Sequence, residues 1–332
     1  MNLLTVSGSP HVHDNQSVQK IMYGVVLSLM PALLVSFYFF GLNAILLMLT
    51  VVISCMVAEF VIQKYLIKGP ITIFDGSALI TGILLGFNLP AHLPLWMVIV
   101  GSVVAIGIGK MTFGGLGKNP FNPALVGRVF LMISFPVHMT TYPVPAPLST
   151  QTVDVVTGAT PLAIFKEGIS RGAGINEIMA DMPGYLDMFI GKIGGSLGET
   201  SAMMLLAGGI FMLIKKIITW HVPVAYLGTV AIFTGIMWLV DPGQNASPLF
   251  HLLTGGLMLG AFYMATDMVT SPMTHKGMLI FGIGCGLITV VIRLFGAYPE
   301  GVAFSILIMN AFVPLINRST KPRPFGKEVK NG

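Results

Sequence analysis

The feature that most constrains this chain is a run of ten apolar blocks, at about 21–40, 42–62, 77–90, 94–110, 122–136, 200–218, 222–240, 249–266, 277–294 and 301–317. Most have the roughly 17–25 residues that an α-helix needs to cross a bilayer, while the third and fifth are short for a full crossing. Charge is scarce to match: 18 basic and 13 acidic side chains make up 9% of 332 residues, where a soluble domain carries about 25%. A soluble enzyme is excluded. The fold class predicted is an all-α polytopic membrane protein of about ten transmembrane helices. Cys55 and Cys285, the only cysteines, lie inside apolar runs and cannot supply the thiolates of an iron–sulfur cluster or zinc ribbon, so any redox centre must be organic. The basic residues sit between the apolar runs and in the tail, as cytoplasmic loops do, so no nucleic-acid partner is expected. Met1 to Lys20 is polar and the first block starts at Ile21, which speaks against a cleaved signal peptide.

With a cytoplasmic N-terminus, 14 of the 18 basic residues fall on the inside, against Lys166, Arg171, Lys192 and Arg293 outside. That asymmetry predicts both termini in the cytoplasm. The chain then divides into a first five-helix repeat (1–136), an outside hydrophilic loop (137–199), a second five-helix repeat (200–317) and a basic cytoplasmic tail (318–332). Leu79-Ile-Thr-Gly-Ile-Leu-Leu-Gly86 parallels Leu252-Leu-Thr-Gly-Gly-Leu-Met-Leu-Gly260, each opening a Gly-rich third span of its half. Phe113-Gly-Gly ahead of Asn119-Pro-Phe-Asn-Pro-Ala124 loosely parallels Phe295-Gly-Ala-Tyr-Pro-Glu-Gly-Val-Ala303. Five spans per half make the second copy inverted, and short, Gly/Pro-interrupted helices in matched positions are how many membrane proteins build a midplane site. Close helix packing is the plainer use of such glycines.

The informative polar residues are few. Asp75, in Phe74-Asp-Gly76, and Asp267, in Ala265-Thr-Asp-Met-Val-Thr-Ser-Pro272, fall at the cytoplasmic ends of the two third spans. Each can serve an ion path or cofactor pocket, or simply cap a helix or turn. Thr81 and Thr254 mark the paired Thr-Gly segments, and Glu300 opens the last span, where a carboxylate also complements a helix N-terminus. His11 and His13 have a ligand-like spacing, but nothing joins them, and no metal site is expected. The remaining histidines, His92, His138, His221, His251 and His275, fall at span ends, where interfacial placement is expected. Gly114-Gly-Leu-Gly-Lys118 lacks the spacing and the following Ser/Thr of a phosphate-binding loop.

One segment stands apart in the outside loop: Asp154-Val-Val-Thr157-Gly158-Ala159-Thr160, followed by Pro161. It reads as a loop with a turn. The small residues are expected to leave the Thr160 hydroxyl accessible to a second enzyme, and Pro161 disfavours a helical Thr160. No base lies near Thr160 in sequence, so it is not a catalytic nucleophile here.

The order Ser9-Pro-His-Val-His13, Thr157-Gly-Ala-Thr-Pro-Leu162, Ala265-Thr-Asp-Met-Val-Thr-Ser-Pro272, Tyr298-Pro-Glu-Gly-Val-Ala-Phe304 and Pro314-Leu-Ile resembles the family of D-type subunits of the Rnf complex. That complex is the ion-translocating ferredoxin:NAD⁺ oxidoreductase. The B-type subunit of the Na⁺-translocating NADH:quinone oxidoreductase is related. The resemblance runs from about Ser9 to Gly326. It implies FMN held by a phosphoester to Thr160, with Asp154, Thr157, Gly158 and Ala159 as the attachment motif, installed outside the cytoplasm by an FAD-dependent flavin transferase. It further implies a translocase component with no complete active site of its own, in a bacterial or archaeal cell membrane. Its partners would be the other Rnf subunits, including the FMN-bearing G-type subunit and the iron–sulfur membrane subunits. A second, non-covalent flavin such as riboflavin would fit the membrane half, and the coupled ion would be Na⁺ or H⁺. The alternatives are a protein like the B-type quinone-reductase subunit, or a solute or ion transporter without redox chemistry.

Overall fold

The computed structural model describes residues 17–147, 157–180, 182–199, 201–296, 298 and 300–321. His11, His13, Asp154 and the tail beyond Lys321 lie outside the described residues.

Helix α1 (Val18–Val61) takes up the first two apolar blocks, which meet at Gly41 without a loop. Gly41 has φ 59° and ψ −142°, a backbone conformation that essentially only glycine adopts. The rest of the first half is α2 (Ser77–Phe87), α3 (Leu95–Gly107) and α4 (Pro123–Ser134). A connecting segment follows with α5 (Pro136–Thr140), a two-residue antiparallel ladder of β1 (Tyr142–Pro143) and β2 (Thr157–Gly158), then α6 (Pro161–Ser170), α7 (Ile175–Ala180) and α8 (Tyr185–Ile190). The second half comprises α9 (Ala202–Ile214), α10 (His221–Val240), α11 (Pro248–Leu253), α12 (Leu257–Leu259), α13 (His275–Phe295) and α14 (Val302–Ser319).

Among the described residues five helices are long and apolar enough to cross a membrane, and α2, α4 and α9 are shorter apolar helices. Together with the rows of exposed Leu, Ile and Val on α1, α10 and α13, which suit lipid contact rather than water, they make a multi-pass membrane protein. Helix starts follow from local chemistry. Asn122, Thr160 and Ser247 each precede a proline and accept a hydrogen bond from an amide of the first turn, the cap-then-Pro arrangement that suits a helix start. The sixth block ends sooner than its apolar run, because Lys216 adopts φ 56° after Ile214.

Helices of each half pack mainly on one another, α1 with α2 and α3, α10 with α13, and α13 with α14; α1 against α9 and α4 against α14 join the halves. At the α1–α2 contact the backbones approach so closely that a Cβ on Gly82 would lie 2.9 Å from Val52 Cα, a small-residue seam of the kind lipid-embedded helices use. Loop contacts sort into two ends. Gln19 Nε2 donates to Phe74 O at one end, at 3.1 Å. At the other, Ala146 N donates to Phe39 O at 2.9 Å and Leu197 N to Leu89 O at 3.3 Å. The connecting segment therefore lies beside the Gly41 junction, midway along α1. It does not stand apart from the second half: Leu162, Phe165, Ile178 and Met188 share an apolar cluster with Ala246, Phe250 and Leu253.

Candidate functional site

The third span of the second half is broken. Helix α11 stops at Leu253, Gly255 takes φ 68°, and the chain restarts as α12 and a π-helical turn, Gly260–Met264. Such a break leaves carbonyls bare on one side and amides on the other. Opposite charges meet them. Arg293, at the end of α13, donates from Nη1 to His251 O at 2.6 Å and from Nη2 to Thr254 O at 3.0 Å. Glu300 Oε1 accepts from Gly256 N–H at 3.1 Å. A cation on the carbonyl end and an anion on the amide end match the local dipoles. Glu300 therefore complements the restart after Gly255 rather than α14, whose N-cap Gly301 makes no side-chain bond.

Arg128 ties this break to the first half. From inside α4 it donates to Glu300 Oε2 and to Asn88 Oδ1, the C-cap of α2. Glu199, from the 3₁₀ turn before α9, hydrogen-bonds Glu300 and accepts from Ser196 Oγ at 2.7 Å. Glu199 is 4% exposed and Glu300 5%. Burial, then the adjacent Glu300, drives the Glu199 carboxyl well above the usual range. Burial also works against the Glu300 carboxylate, but Arg128, the hydrogen bond from Glu199, Arg293 and the Gly256 amide overcome it and hold it at about 2. The phenol of Tyr142, buried beside the same two carboxyls, is pushed well up.

Helix α6 abuts this cluster. Thr160 is its N-cap, with extended backbone (φ −68°, ψ 154°), and its Oγ1 accepts from Ala163 N at 3.2 Å. The expectation that the hydroxyl stands free is corrected here: Thr160 is 3% exposed. Its hydroxyl is drawn in to cap the helix, while Ala159 is the exposed residue of the motif. The segment is also more ordered than a loop with a turn, since Thr157 and Gly158 pair with Pro143 and Tyr142. Lys166 Nζ donates to the carbonyls of Gly296 and Tyr298, in the loop that leads to Glu300. A Cβ on Gly255 would lie 2.8 Å from Leu162 Cδ1, 2.9 Å from Arg293 Nη2 and 3.2 Å from Glu300 Oε1. One glycine thus separates the Thr160 helix from both charges.

A second polar group gathers near the other end of α2, about 15 Å away at 1.5 Å per residue. There a cavity is lined by Ser77, Thr81, Lys110, Asn119, Asn122 and Asp267 among apolar side chains, with Tyr263 and Phe262 on its wall. Lys110 Nζ reaches Glu59 Oε2 and Ser77 Oγ, each at 2.6 Å, fully buried. Asp75 accepts from Ser77 N at 2.7 Å, and Asp267 from Val269 N and Thr270 Oγ1, each at 3.2 Å. Both aspartates are turn-forming acceptors, and only Asp267 lines the cavity.

The candidate residues therefore separate into two places: Thr81 and Asp267, with Asp75 one turn behind, at one end, and Thr160, Thr254 and Glu300 at the other. The Thr81 and Thr254 hydroxyls are spent within their helices, on Ser77 O and Phe250 O. Three cations counted as loop charges, Lys110, Arg128 and Arg293, are buried; with them removed, two from the inside and one from the outside, the basic residues divide 12 against three. His251 is not interfacial: it is 2% exposed, its ring against Phe165 and Phe250. Sequence reasoning also missed Glu59, Glu199 and Asn88. The one available signal was an acid inside an apolar run at Glu59. Among the described residues no cluster could hold a metal ion.

Broken apolar helices whose ends meet buried charges define a multi-pass membrane protein of the interrupted-helix class. The chain belongs to the NQR2, RnfD, RnfE family, whose model matches residues 5–326. It is 50% identical to the D-type subunit of the Na⁺-translocating ferredoxin:NAD⁺ oxidoreductase complex of Acetobacterium woodii, over 97% of this chain and 95% of that protein. It is 47% identical to the D-type subunit of the proton-translocating ferredoxin:NAD⁺ oxidoreductase complex of Clostridium ljungdahlii, over 98% and 97%. The D-type subunit of the ion-translocating oxidoreductase complex of Stutzerimonas stutzeri is 42% identical, over 95% and 94%.

Proposed function

We propose that this protein is the D-type subunit of an ion-translocating ferredoxin:NAD⁺ oxidoreductase complex, that it carries FMN on Thr160 through a phosphoester, and that it contributes part of the route for Na⁺ or H⁺. The observation that carries the reading is the complete Asp154-x-x-Thr157-Gly158-Ala159-Thr160 motif ending at a helix N-cap. The donor set fits a phosphoester. The N-terminal dipole of α6 and the Leu162 amide favour an anion, Pro161 having no N–H and the Ala163 and Ile164 amides being held by Thr160. A Cβ on Gly158 would come within 3.1 Å of Val144 Cγ2, so the motif needs small residues to lie along β1. When bound, the flavin supplies one- and two-electron transfer, with a potential set by its surroundings. The chain's own part is to hold Thr160 extended at the helix start. It also anchors α6 through Lys166, and it keeps water from the buried charges behind Leu162. Because Thr160 caps α6, a flavin transferase reaches it before α6 packs, or while its first turn is open.

The Asp267 cavity is the place in the membrane half for a second, non-covalent flavin such as riboflavin. At about 100 Å³ it must widen to admit the ring. The Na⁺-named and the proton-named relatives stand at 50% and 47% identity, so the ion is read by transport, not by likeness. The partners are the remaining Rnf subunits, and the loop carrying Thr160 faces away from the cytoplasm.

Thr160→Val should abolish the fluorescent band on a denaturing gel and the FMN increment in intact mass, while the protein still inserts. Thr160→Ser should keep both. Covalent FMN on the Val variant, or on Thr157 of the native chain, overturns the assignment.

A further inference from the structure

Glu199 and Glu300 come from segments far apart in sequence, yet their side chains hydrogen-bond each other in a buried place. Two ionised carboxylates side by side in a buried place repel each other, and one proton on the pair relieves that repulsion. The surrounding bonds decide where it sits. Glu300 accepts from Gly256 N–H and Arg128 and faces Arg293, whereas Glu199 has the neutral donor Ser196 Oγ. The proton therefore belongs to Glu199.

Each element packed on the pair contributes a titratable or charged group: Arg128 from α4, Tyr142 from β1, Arg293 from α13, and His251 of α11 behind Arg293. Arg128 Nε and Arg293 Nε are buried without a hydrogen-bond partner. With Glu199 protonated, two guanidiniums face one carboxylate; with Glu199 ionised, the charges balance. Arg128 and the Gly256 amide already occupy the Glu300 oxygens that a metal cation would need, so the exchangeable species is a proton.

We propose that Glu199 and Glu300 form a single-proton exchange site at the break of the third span, coupled through α6 to Thr160. The Glu199 carboxyl releases H⁺ to water at the connecting-segment face and takes it back from there; no electron moves on the pair. The coupling follows the contacts. Leu162 and Glu300 Oε1 both lie against Gly255, and Lys166 Nζ binds the carbonyls of Gly296 and Tyr298. The helix that Thr160 caps and the loop bearing Glu300 are thus tied at two points, and negative charge gained near Thr160 raises the pair's proton affinity. Only this coupling rests on the flavin reading; the exchange site does not.

The test is difference infrared spectroscopy of the purified complex, native and Glu199→Gln. The native complex should show the carbonyl stretch of a buried un-ionised acid at pH above the ordinary carboxylate range, replaced by carboxylate bands as pH rises further and lost in Glu199→Gln. Native and variant spectra that superimpose in that region at every pH overturn the site. If Glu199→Gln fails to assemble, Ser196→Ala removes a donor to Glu199 and should move the same band; an unmoved band overturns it equally. Dithionite reduction should shift the band in the native complex but not in Thr160→Val. A band present yet indifferent to reduction overturns the coupling, and intact mass at Thr160 separately judges the flavin reading.

Discussion

Glu300 accepts from Arg128 and from the Gly256 amide while Arg293 faces it, so truncating it leaves two buried cations without their counter-ion. Glu300→Ala should cost the solubilised protein about 3–5 kcal/mol of stability, the usual effect of breaking a buried pair from one side. Thermal unfolding in detergent measures it, and a loss below about 1 kcal/mol would mean that the guanidiniums find water instead. The pH dependence of the pair has two signs. The raised Glu199 carboxyl holds a proton that the unfolded chain gives up, so its contribution is full below the ordinary carboxylate range and is lost as pH rises toward its raised value. The lowered Glu300 behaves oppositely, its contribution being lost as pH falls toward about 2. Glu199→Gln should therefore flatten the fall in thermal stability that begins as pH rises through the ordinary carboxylate range. A variant with the native slope would assign that fall to other groups.

At the scale of elements, the break after α11 depends on one residue without a side chain. Gly255→Ala puts a Cβ at φ 68° and within 3 Å of Leu162 and Arg293. Left-handed strain alone costs on the order of 1–3 kcal/mol, and relief requires α6 or Arg293 to move. The variant should lower thermal stability and slow flavin attachment at Thr160, read as the fluorescent fraction of the total protein over time; unchanged stability and attachment would show that the loop bearing Glu300 gives way freely. Much at this scale was legible in the sequence. The ten blocks are a local pattern; the caps before Pro123, Pro161 and Pro248 are local chemistry too, although only the structure showed them as helix starts. The direct junction of two helices at Gly41 was not legible, because only the backbone angles of one glycine distinguish a loop from a direct junction. The capped, paired form of Thr157–Thr160 was not legible either, since its partner strand lies at Tyr142–Pro143 across residues with no strand pattern.

For the whole molecule, the basic asymmetry predicts that a reporter fused near Gly174 reads as outside and one after Lys330 as cytoplasmic. Removing the three buried cations leaves the division at 12 against three, so the expectation stands on loop charges alone. Cytoplasmic labelling of residues 165–195 would reverse the orientation and with it the proposed side of flavin attachment.

By itself the sequence determined the solvent, the number of apolar segments and the family, because hydropathy and short motifs are carried by neighbouring residues. The tertiary structure decided which charges belong together. Arg128, Glu199, Arg293 and Glu300 lie in separate segments, each reading as a loop or span-end charge when taken alone. They become one site only because a broken helix exposes backbone donors and acceptors in a buried place, and buried groups of that kind must be met by side chains brought from elsewhere in the fold.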